Sequence, residues 1–341
     1  MQNKKTAGRG IDPAVAFKGV VMFICPVCKS KLNIEDRAYR CENNHSFDIA
    51  KQGYVNLLPV NKKHSDNPGD SKEMVMSRRE FLESGYYDCF ADKTAEIIDG
   101  FFPGKCKIRI ADCGCGEGFY DGRLEKLKCE FELDGFDISK EAVRLAAGKY
   151  KKYNFAVGSC FDMPLGSGIY DVAINIFAPM AEAETVRILR SGGYFIYAVP
   201  GKNHLMGLKK LLYESVYENV EKHTEYDGME FVARHTVKDK ISLDGKSGVN
   251  LFKMTPYYFK TELGAEEKIR KNNGFTTEIH FDFLVYRKTA QFQHVEFQIV
   301  RKFGGIFGKK LFCLLSTCRE PIGKFGFVDF KCFFCLSLGM E

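Results

Sequence analysis

The stretch Ile108-Arg109-Ile110-Ala111-Asp112-Cys113-Gly114-Cys115-Gly116-Glu117-Gly118, with a helical run from Phe119 to Leu127 behind it, decides the fold. A β-rich run, a glycine loop and a helix in succession make a nucleotide site, because the loop brings backbone N–H groups and a helix start to the ligand. The spacing is D-x-G-x-G-x-G. A dinucleotide fingerprint would need glycine where Phe119 stands, so the loop favours S-adenosylmethionine over a nicotinamide cofactor. Glycine at 114, 116 and 118 lets the backbone approach the amino-acid end of that cofactor closely. Asp137, ending the run Glu132–Asp137, can accept from both ribose hydroxyls. Asp112, Gly114, Gly116, Gly118 and Asp137 are therefore candidate cofactor residues.

Downstream, helix Lys140–Tyr150, strand Tyr153–Val157, strand Tyr170–Ile176, helix Ala181–Leu189 and strand Gly193–Val199 keep the alternating period of a doubly wound α/β sheet. Thr276–Arg287 alternates Ile279, Phe281, Phe283 and Val285 on one face, as suits a late antiparallel strand closing such a sheet. Asp162 stands where an acid after the third strand can accept from the adenine amino group, or else it is a turn residue before Pro164. Asn175-Ile176-Phe177-Ala178-Pro179 is the candidate wall of a substrate pocket. Phe177 either stacks on a flat base or packs inward, and Asn175 or backbone carbonyls can orient a base edge. The run departs from the D/N-P-P-Y/F pattern of enzymes that methylate exocyclic amines, and no side chain stands out as a general base.

Upstream, Cys25-Pro-Val-Cys28 followed by Cys41 and His45 gives C-x2-C-x12-C-x3-H. Two close-set pairs of soft and borderline ligands complete a closed tetrahedron suited to structural Zn²⁺, with no open position for catalysis. The following segment, Ser46 to Leu58, mixes Phe47 and Tyr54 with Lys51, which suits stacking on unpaired bases or simply packing a small zinc core. Residues 59 to 69 read as a linker. Asp70 with Glu73 makes a capping-box start for a helix through Arg78, Arg79 and Phe81 that stops near Gly85. The two arginines either hold phosphate or form a solvated face.

A chain of 341 residues with 45% hydrophobic and 28% charged residues is globular, with room for more than one domain. No uncharged apolar run approaches the ~18 residues that span a bilayer, so no membrane association is expected. Met22, Phe23 and Ile24 lack the small side chains of a cleavage site, so export is not expected and the chain reads as cytoplasmic. The 13 Cys then call for metal binding, packing or backbone needs rather than a disulfide framework. The first 64 residues hold 11 Lys/Arg against 5 Asp/Glu, a basic module suited to a polyanion or a solvated face.

The zinc pattern, Gln52-Gly-Tyr-Val-Asn-Leu-Leu-Pro59, Pro68-Gly-Asp-Ser71, Arg78-Arg79, the loop 112–118 and Pro200-Gly-Lys-Asn-His-Leu-Met206 together resemble the bacterial 23S rRNA (guanine-N1)-methyltransferases, over roughly Met22 to Lys288. The resemblance implies a Rossmann-like class I S-adenosylmethionine methyltransferase with a small N-terminal zinc-binding domain. It implies methylation of guanine N1 in a 23S rRNA hairpin, and cofactor contacts from Tyr87, Gly116, Glu117 and His204. The expected division is an extension over 1–21, a zinc module over 22–58, a linker and helix over 59–85, the methyltransferase domain over 86–288, and an atypical tail over 289–341. A second copy of the chain is a further candidate partner. Rival readings are a methyltransferase for small metabolites and a non-catalytic rRNA-binding assembly factor. The zinc module and the methyltransferase domain are expected to be separable, so that replacing Cys25 or Cys41 unfolds the first and leaves donor binding in the second. The tail holds 10 of the 30 Phe and Cys313, Cys318, Cys332 and Cys335, read as a foreign extension rather than a second metal site.

Overall fold

The computed structural model describes residues 22–289 apart from 64, 66, 67, 105, 106, 222–224 and 273. The readings placed on 1–21 and on the four tail cysteines lie outside the described residues.

Strands β1 (Asn33–Glu35), β2 (Ala38–Arg40) and β3 (Ser46–Asp48) form a small antiparallel sheet in that order. Strand β4 (Tyr54–Asn56) leaves it. Helices α1 (Lys72–Glu83) and α2 (Asp88–Phe101) follow, then β5 (Lys107–Cys113), α3 (Phe119–Arg123), β6 (Glu130–Asp137), α4 (Lys140–Lys149), β7 (Asn154–Val157) and β8 (Tyr170–Ile176). The chain continues through α5 (Glu182–Ile188), β9 (Leu189–Pro200), α6 (Met206–Leu212), β10 (Met229–Leu243), α7 (Gly245–Lys253), α8 (Ala265–Lys271) and β11 (Phe275–Lys288). The large sheet has eight strands in the order β10-β11-β9-β8-β5-β6-β7-β4. Its pairs are parallel from β9 to β4, and β11 enters antiparallel to β9 and β10.

The period of two along the strands sorts side chains into two cores. Ile108 and Ile110 of β5, Val172 and Ile174 of β8, and the stripe Ile279, Phe281, Phe283 and Val285 of β11 face one layer, with Phe81, Phe90, Val143 and Phe252 from the helices. Ala111 and Cys113, Phe195 and Tyr197, and Leu284 and Tyr286 face the other, and there the main covering helix, α5, is only seven residues long. The zinc module covers the rest. Phe23, Cys25, Leu32, Tyr39, Val55 and Leu57 share that core with Phe136, Met163, Leu165 and Tyr170.

This shared core speaks against the expected separability. Backbone bonds Ile24 N–H to Pro164 O (3.0 Å) and Gly166 N–H to Met22 O (3.0 Å) stitch the segments together, and β4 pairs with β7 in register Tyr54 to Phe155. A fully buried Phe or Leu contributes ~1.5–3 kcal/mol, so Phe23, Val55 and Leu57 alone tie the module to the sheet by several such increments.

Other expectations shift locally. The cap of α1 is Ser71, whose hydroxyl accepts from Met74 N–H at 3.3 Å, because the carboxylate of Asp70 is taken by Arg78. The expected helix Phe119–Leu127 ends at Arg123 and tightens into a 3₁₀ turn over Leu124–Lys126, one residue after the weak helix former Gly122. Strand β10 was invisible in the sequence: as the sheet's last strand its side chains are mostly exposed, so it carries little apolar alternation.

Candidate cofactor cleft and metal centre

Strand β5 delivers Asp112 to the carboxyl edge of the sheet, and the chain then turns on three glycines with positive φ: Gly114 (+100°), Gly116 (+55°) and Gly118 (+80°). Each meets a different constraint. A Cβ on Gly114 would overlap that of Ala178, so this glycine lets the loop press against the 175–179 turn. A Cβ on Gly118 would stand 2.9 Å from the Tyr150 ring, and this glycine lets α3 pack on the end of α4. Nothing lies within 4 Å of the position a Cβ on Gly116 would take, so the loop faces open space there. Gly114 N–H and Cys115 N–H both donate to Phe136 O, at 2.9 and 3.0 Å.

Asp137 fixes the loop from the next strand. Its Oδ2 accepts from Gly116 N–H at 3.1 Å and its Oδ1 from Ser139 N–H at 2.7 Å. Around the loop, several buried oxygens meet no N–H or O–H donor among the described residues: Asp112 Oδ1, Glu117 Oε1, both Asp121 oxygens and the Tyr120 hydroxyl, with the Asp112 and Asp121 carboxyls facing each other. Asp112, Glu117 and Asp121 are only 2, 6 and 0% exposed. Burial pushes the Asp112 carboxyl up to about 7 and raises Glu117, with Arg78 opposing the latter. Orphaned acceptors of this kind fit a guest rich in donors and positive charge, such as the ammonium end of S-adenosylmethionine. A cleft of about 350 Å³ opens outside the carboxyl ends of β4, β6 and β7, lined among others by Asn56, Lys63, Ile138, Lys140 and Val157. That edge is where open α/β sheets take their ligands.

The turn after β8 is built by Asn175. Its Nδ2 donates to Pro179 O and its Oδ1 accepts from Ala178 N–H, both at 3.1 Å. The side-chain amide is therefore spent on the turn, which corrects the reading of Asn175 as a group that orients a base edge. Phe177 sits at φ +59°, 43% exposed, with one face stacked on Phe90. The inward packing is thus realised on one face of the ring, and the other face is open. Phe281 joins Phe177 (5.1 Å) to Tyr87 (5.0 Å) and His204 (4.4 Å between ring centroids), so the structure brings these three expected site residues together. Burial pushes His204 down to about 3, and its Nδ1 accepts from His280 N–H at 3.3 Å, so the neutral ring carries its proton on Nε2.

Asp162 departs from expectation. Its two oxygens accept separate ion pairs, from Lys29 at 2.5 Å and from Lys62 at 2.6 Å. Burial opposes its ionisation, and the two lysines overcome that and hold the carboxyl below its usual range. With both oxygens engaged it is a clasp between the zinc module and the sheet rather than a free acceptor for adenine. Arg78 likewise faces Asp70, Glu117 and Asp137, while Arg79 pairs with Glu83 at 3.1 Å, so neither is an unpaired phosphate ligand.

At the other site, Cys25 Sγ, Cys28 Sγ, Cys41 Sγ and a His45 ring nitrogen lie within 4.8 Å of one another. Each pair of ligands sits on a tight turn with one left-handed residue, Lys29 (φ +64°) and Asn44 (φ +61°). Hydrogen bonding from Asn43 and Ser30 holds the Cys28 thiol down to about 5, and His45 N–H points at Cys41 Sγ (3.3 Å). The Cys28–Cys41 sulfur separation is 3.6 Å, close to the ~3.8 Å that two ~2.3 Å Zn–S bonds give in a tetrahedron. The donor set fits structural zinc.

Sequence reasoning missed Asp121, Phe90 and Phe281 as site neighbours and Lys29 and Lys62 as clasp residues. Asp121 alone left a trace, as a charged residue on the inward side of a short helix otherwise opened by Phe119 and Tyr120. The fold, the glycine loop and the zinc ligands define a class I S-adenosylmethionine-dependent methyltransferase carrying a zinc ribbon. A family described as "RlmA, N-terminal" matches residues 23–66, and a "Methyltransferase domain" family matches residues 110–193. The 23S rRNA (guanine(748)-N(1))-methyltransferase of Streptomyces fradiae is 38% identical over 199 residues, covering 56% of this chain and 68% of the relative. A protein of Micromonospora griseorubida named "Putative 23S rRNA (guanine-N(1)-)-methyltransferase" is 34% identical over 202 residues, covering 54% of this chain and 67% of the relative. The chain belongs to the 23S rRNA (guanine-N1)-methyltransferase family.

Proposed function

We propose that the chain methylates N1 of a guanine in a hairpin loop of 23S rRNA, using S-adenosylmethionine, in the cytoplasm. The observation that carries this reading is the juxtaposition of two features across the Gly114–Ala178 contact: a loop ringed by orphaned carboxylate oxygens and the exposed face of Phe177. Among the described residues no helix is long and apolar enough to cross a membrane. A homodimer stays within the proposal, since the last strand β10 exposes Phe231 and Val232 beside a bulge; sedimentation of the purified chain tests it.

Guanine N1 lies on the Watson–Crick edge, so the base must leave its stack before the edge can be reached, and loop nucleotides do so at least cost. Phe177, braced by Phe90, offers the platform for the freed base. Asp112 and Glu117 would hold the ammonium end of the cofactor; Asp137, each of whose oxygens takes one backbone N–H from Gly116 or Ser139, would accept from the ribose hydroxyls on its remaining lone pairs, while Gly116 leaves room for them. When bound, S-adenosylmethionine supplies an electrophilic methyl group on a sulfonium. The chain contributes alignment of N1 with that methyl by fixing the 114–118 loop against the 175–179 turn, a positional effect. The zinc ribbon, basic and clasped to the sheet through Asp162, presents the exposed Lys31 and Lys51 to the RNA backbone.

Primer extension on rRNA from cells lacking the gene tests the reading. A methyl at N1 blocks pairing and halts the copying enzyme. The stop should vanish in the mutant and return when naked rRNA is treated with protein and cofactor. Persistence of the stop, or transfer to metabolites but not to rRNA, would overturn it.

A further inference from the structure

Asp121 is an unexplained residue. It lies on α3, fully buried, and among the described residues no N–H or O–H group donates to either of its oxygens; its carboxyl faces that of Asp112, whose Oδ1 also meets no such donor. Two carboxylates in contact in a dry environment cannot both stay ionised. A structural role for Asp121 would supply it with a donor, and among the described residues it meets none but the carboxyl of Asp112. The remaining groups around the pair leave the charge uncompensated. Asp137 and Glu117 add negative charge, and Arg78 is committed to Asp70, Glu117 and Asp137. Cys113, Cys115 and Cys160, with Tyr120, Tyr150 and Tyr153, also face the pair or its neighbours, and burial holds their protons on well beyond neutral pH. Only carboxyl groups are left to exchange a proton near neutrality.

We propose that Asp121 is a positioning residue of the cofactor site: its carboxyl shares one proton with that of Asp112 in the cofactor-free protein, and that proton passes to solvent when the ammonium group of the methyl donor settles against Asp112. The inference rests on the cofactor reading above. One positive charge enters as another leaves, so the pair keeps its net charge balanced in both states, and Asp121 holds Asp112 at the geometry the ammonium needs. The two groups titrate as a unit, and the exchange belongs to the pair rather than to either residue.

Calorimetry with S-adenosylhomocysteine, which has the same amino-acid end and no methyl to transfer, reads this directly. Runs in two buffers of different ionisation enthalpy, between about pH 5.5 and 7, stay below the ~7.7–8.0 range where a free α-amino group exchanges protons. The wild-type protein should release about one proton per ligand, and affinity should rise about tenfold per pH unit. Asp121→Asn, whose amide donates to Asp112 without a proton to share, should still bind, with proton release clearly below that of wild type and a shallower pH dependence; Asp121→Thr should behave alike. Binding to wild type without proton release, or release unchanged in both variants, overturns the inference while leaving the cofactor reading intact. If neither variant folds, infrared difference spectra of the wild type decide: binding should remove the broad absorption of a proton shared between two carboxyls, and loss of one isolated carboxyl band, or of none, overturns the inference. Absence of any binding to wild type would instead remove the cofactor reading, and this inference with it.

Discussion

Phe177 stacks on Phe90 with ring centroids 5.4 Å apart and planes 20° from parallel, while its own backbone sits in the left-handed region. A bulky residue held there is strained by ~1–2 kcal/mol, and such strain persists where the surroundings fix it, commonly at sites of function. Phe177→Ala should lower kcat/KM for the rRNA hairpin by about 10- to 100-fold, the loss of a ~1–3 kcal/mol stacking contact. Cofactor affinity by calorimetry should stay within about threefold, and stability should barely change. A variant that methylates normally would show that the exposed face is idle.

Gly114 and Gly116 make a paired test. Gly114→Ala drives a Cβ into Ala178 and should cost ~1–3 kcal/mol of stability in urea unfolding. Gly116→Ala has open space around it, so its cost is only the ~1–2 kcal/mol of a left-handed non-glycine residue, yet cofactor binding should fall by at least tenfold. Equal effects of both on stability and on binding would contradict the assignment of that space.

Asp162→Ala should leave cofactor affinity within about threefold, since both oxygens of Asp162 serve Lys29 and Lys62. Exposed ion pairs of this kind contribute ~0–1 kcal/mol, so stability should fall little as well. A tenfold or larger loss of cofactor affinity would restore Asp162 to the adenine site.

Metal removal should reach the whole chain. Cys25 and Cys41 belong to the core that holds Phe136, Met163 and Tyr170, so Cys41→Ser or chelation should lower the melting temperature in one cooperative transition and weaken cofactor binding with it. Two resolved transitions, with donor binding surviving the first, would mean the zinc ribbon is an independent unit after all.

Asp134 gives a pH dependence with a definite sign. Buried beneath the zinc ribbon and bonded by Asn154 Nδ2 (2.9 Å) and the Tyr170 hydroxyl (2.8 Å), it is pushed up to about 6 by desolvation. A carboxyl raised above its unfolded value of ~3.9 favours the protonated fold; its stabilising share is full below about pH 4 and is lost as pH rises through 6. Asp134→Asn keeps both hydrogen bonds if the Tyr170 hydroxyl turns to accept. Its stability relative to wild type should therefore climb between about pH 4 and 7, by up to ~3 kcal/mol. A difference that stays flat with pH would mean Asp134 is not held in its protonated form.

Much of the architecture was readable from the chain alone. The strand Tyr170–Ile176 falls where the apolar run places it, and the stripe Ile279, Phe281, Phe283 and Val285 does face one core. Local signals suffice in such cases, because a strand buried on both faces needs a continuous apolar run and a loop with three left-handed turns needs glycine. Asp162, Asn175 and Asp121 were not readable in that way. Their roles depend on which partners arrive from elsewhere: Lys29 from 133 positions upstream, the 178 and 179 backbone, and Asp112 across the glycine loop.

The order of residues by itself determined a glycine-lined turn after a strand, a metal-binding set of three thiols and an imidazole, and the alternating period of a layered α/β sheet. Those are short-range properties, set by backbone sterics, ligand spacing and side-chain periodicity. Tertiary structure alone decided that the zinc ribbon replaces helices over one face of the sheet, and that Asp162 clasps it there. It also decided that the Asp121 carboxyl meets that of Asp112 beneath the cofactor loop with no other donor among the described residues. Burial and pairing are properties of what lies across a packed interior, and no residue carries that information in its own neighbourhood.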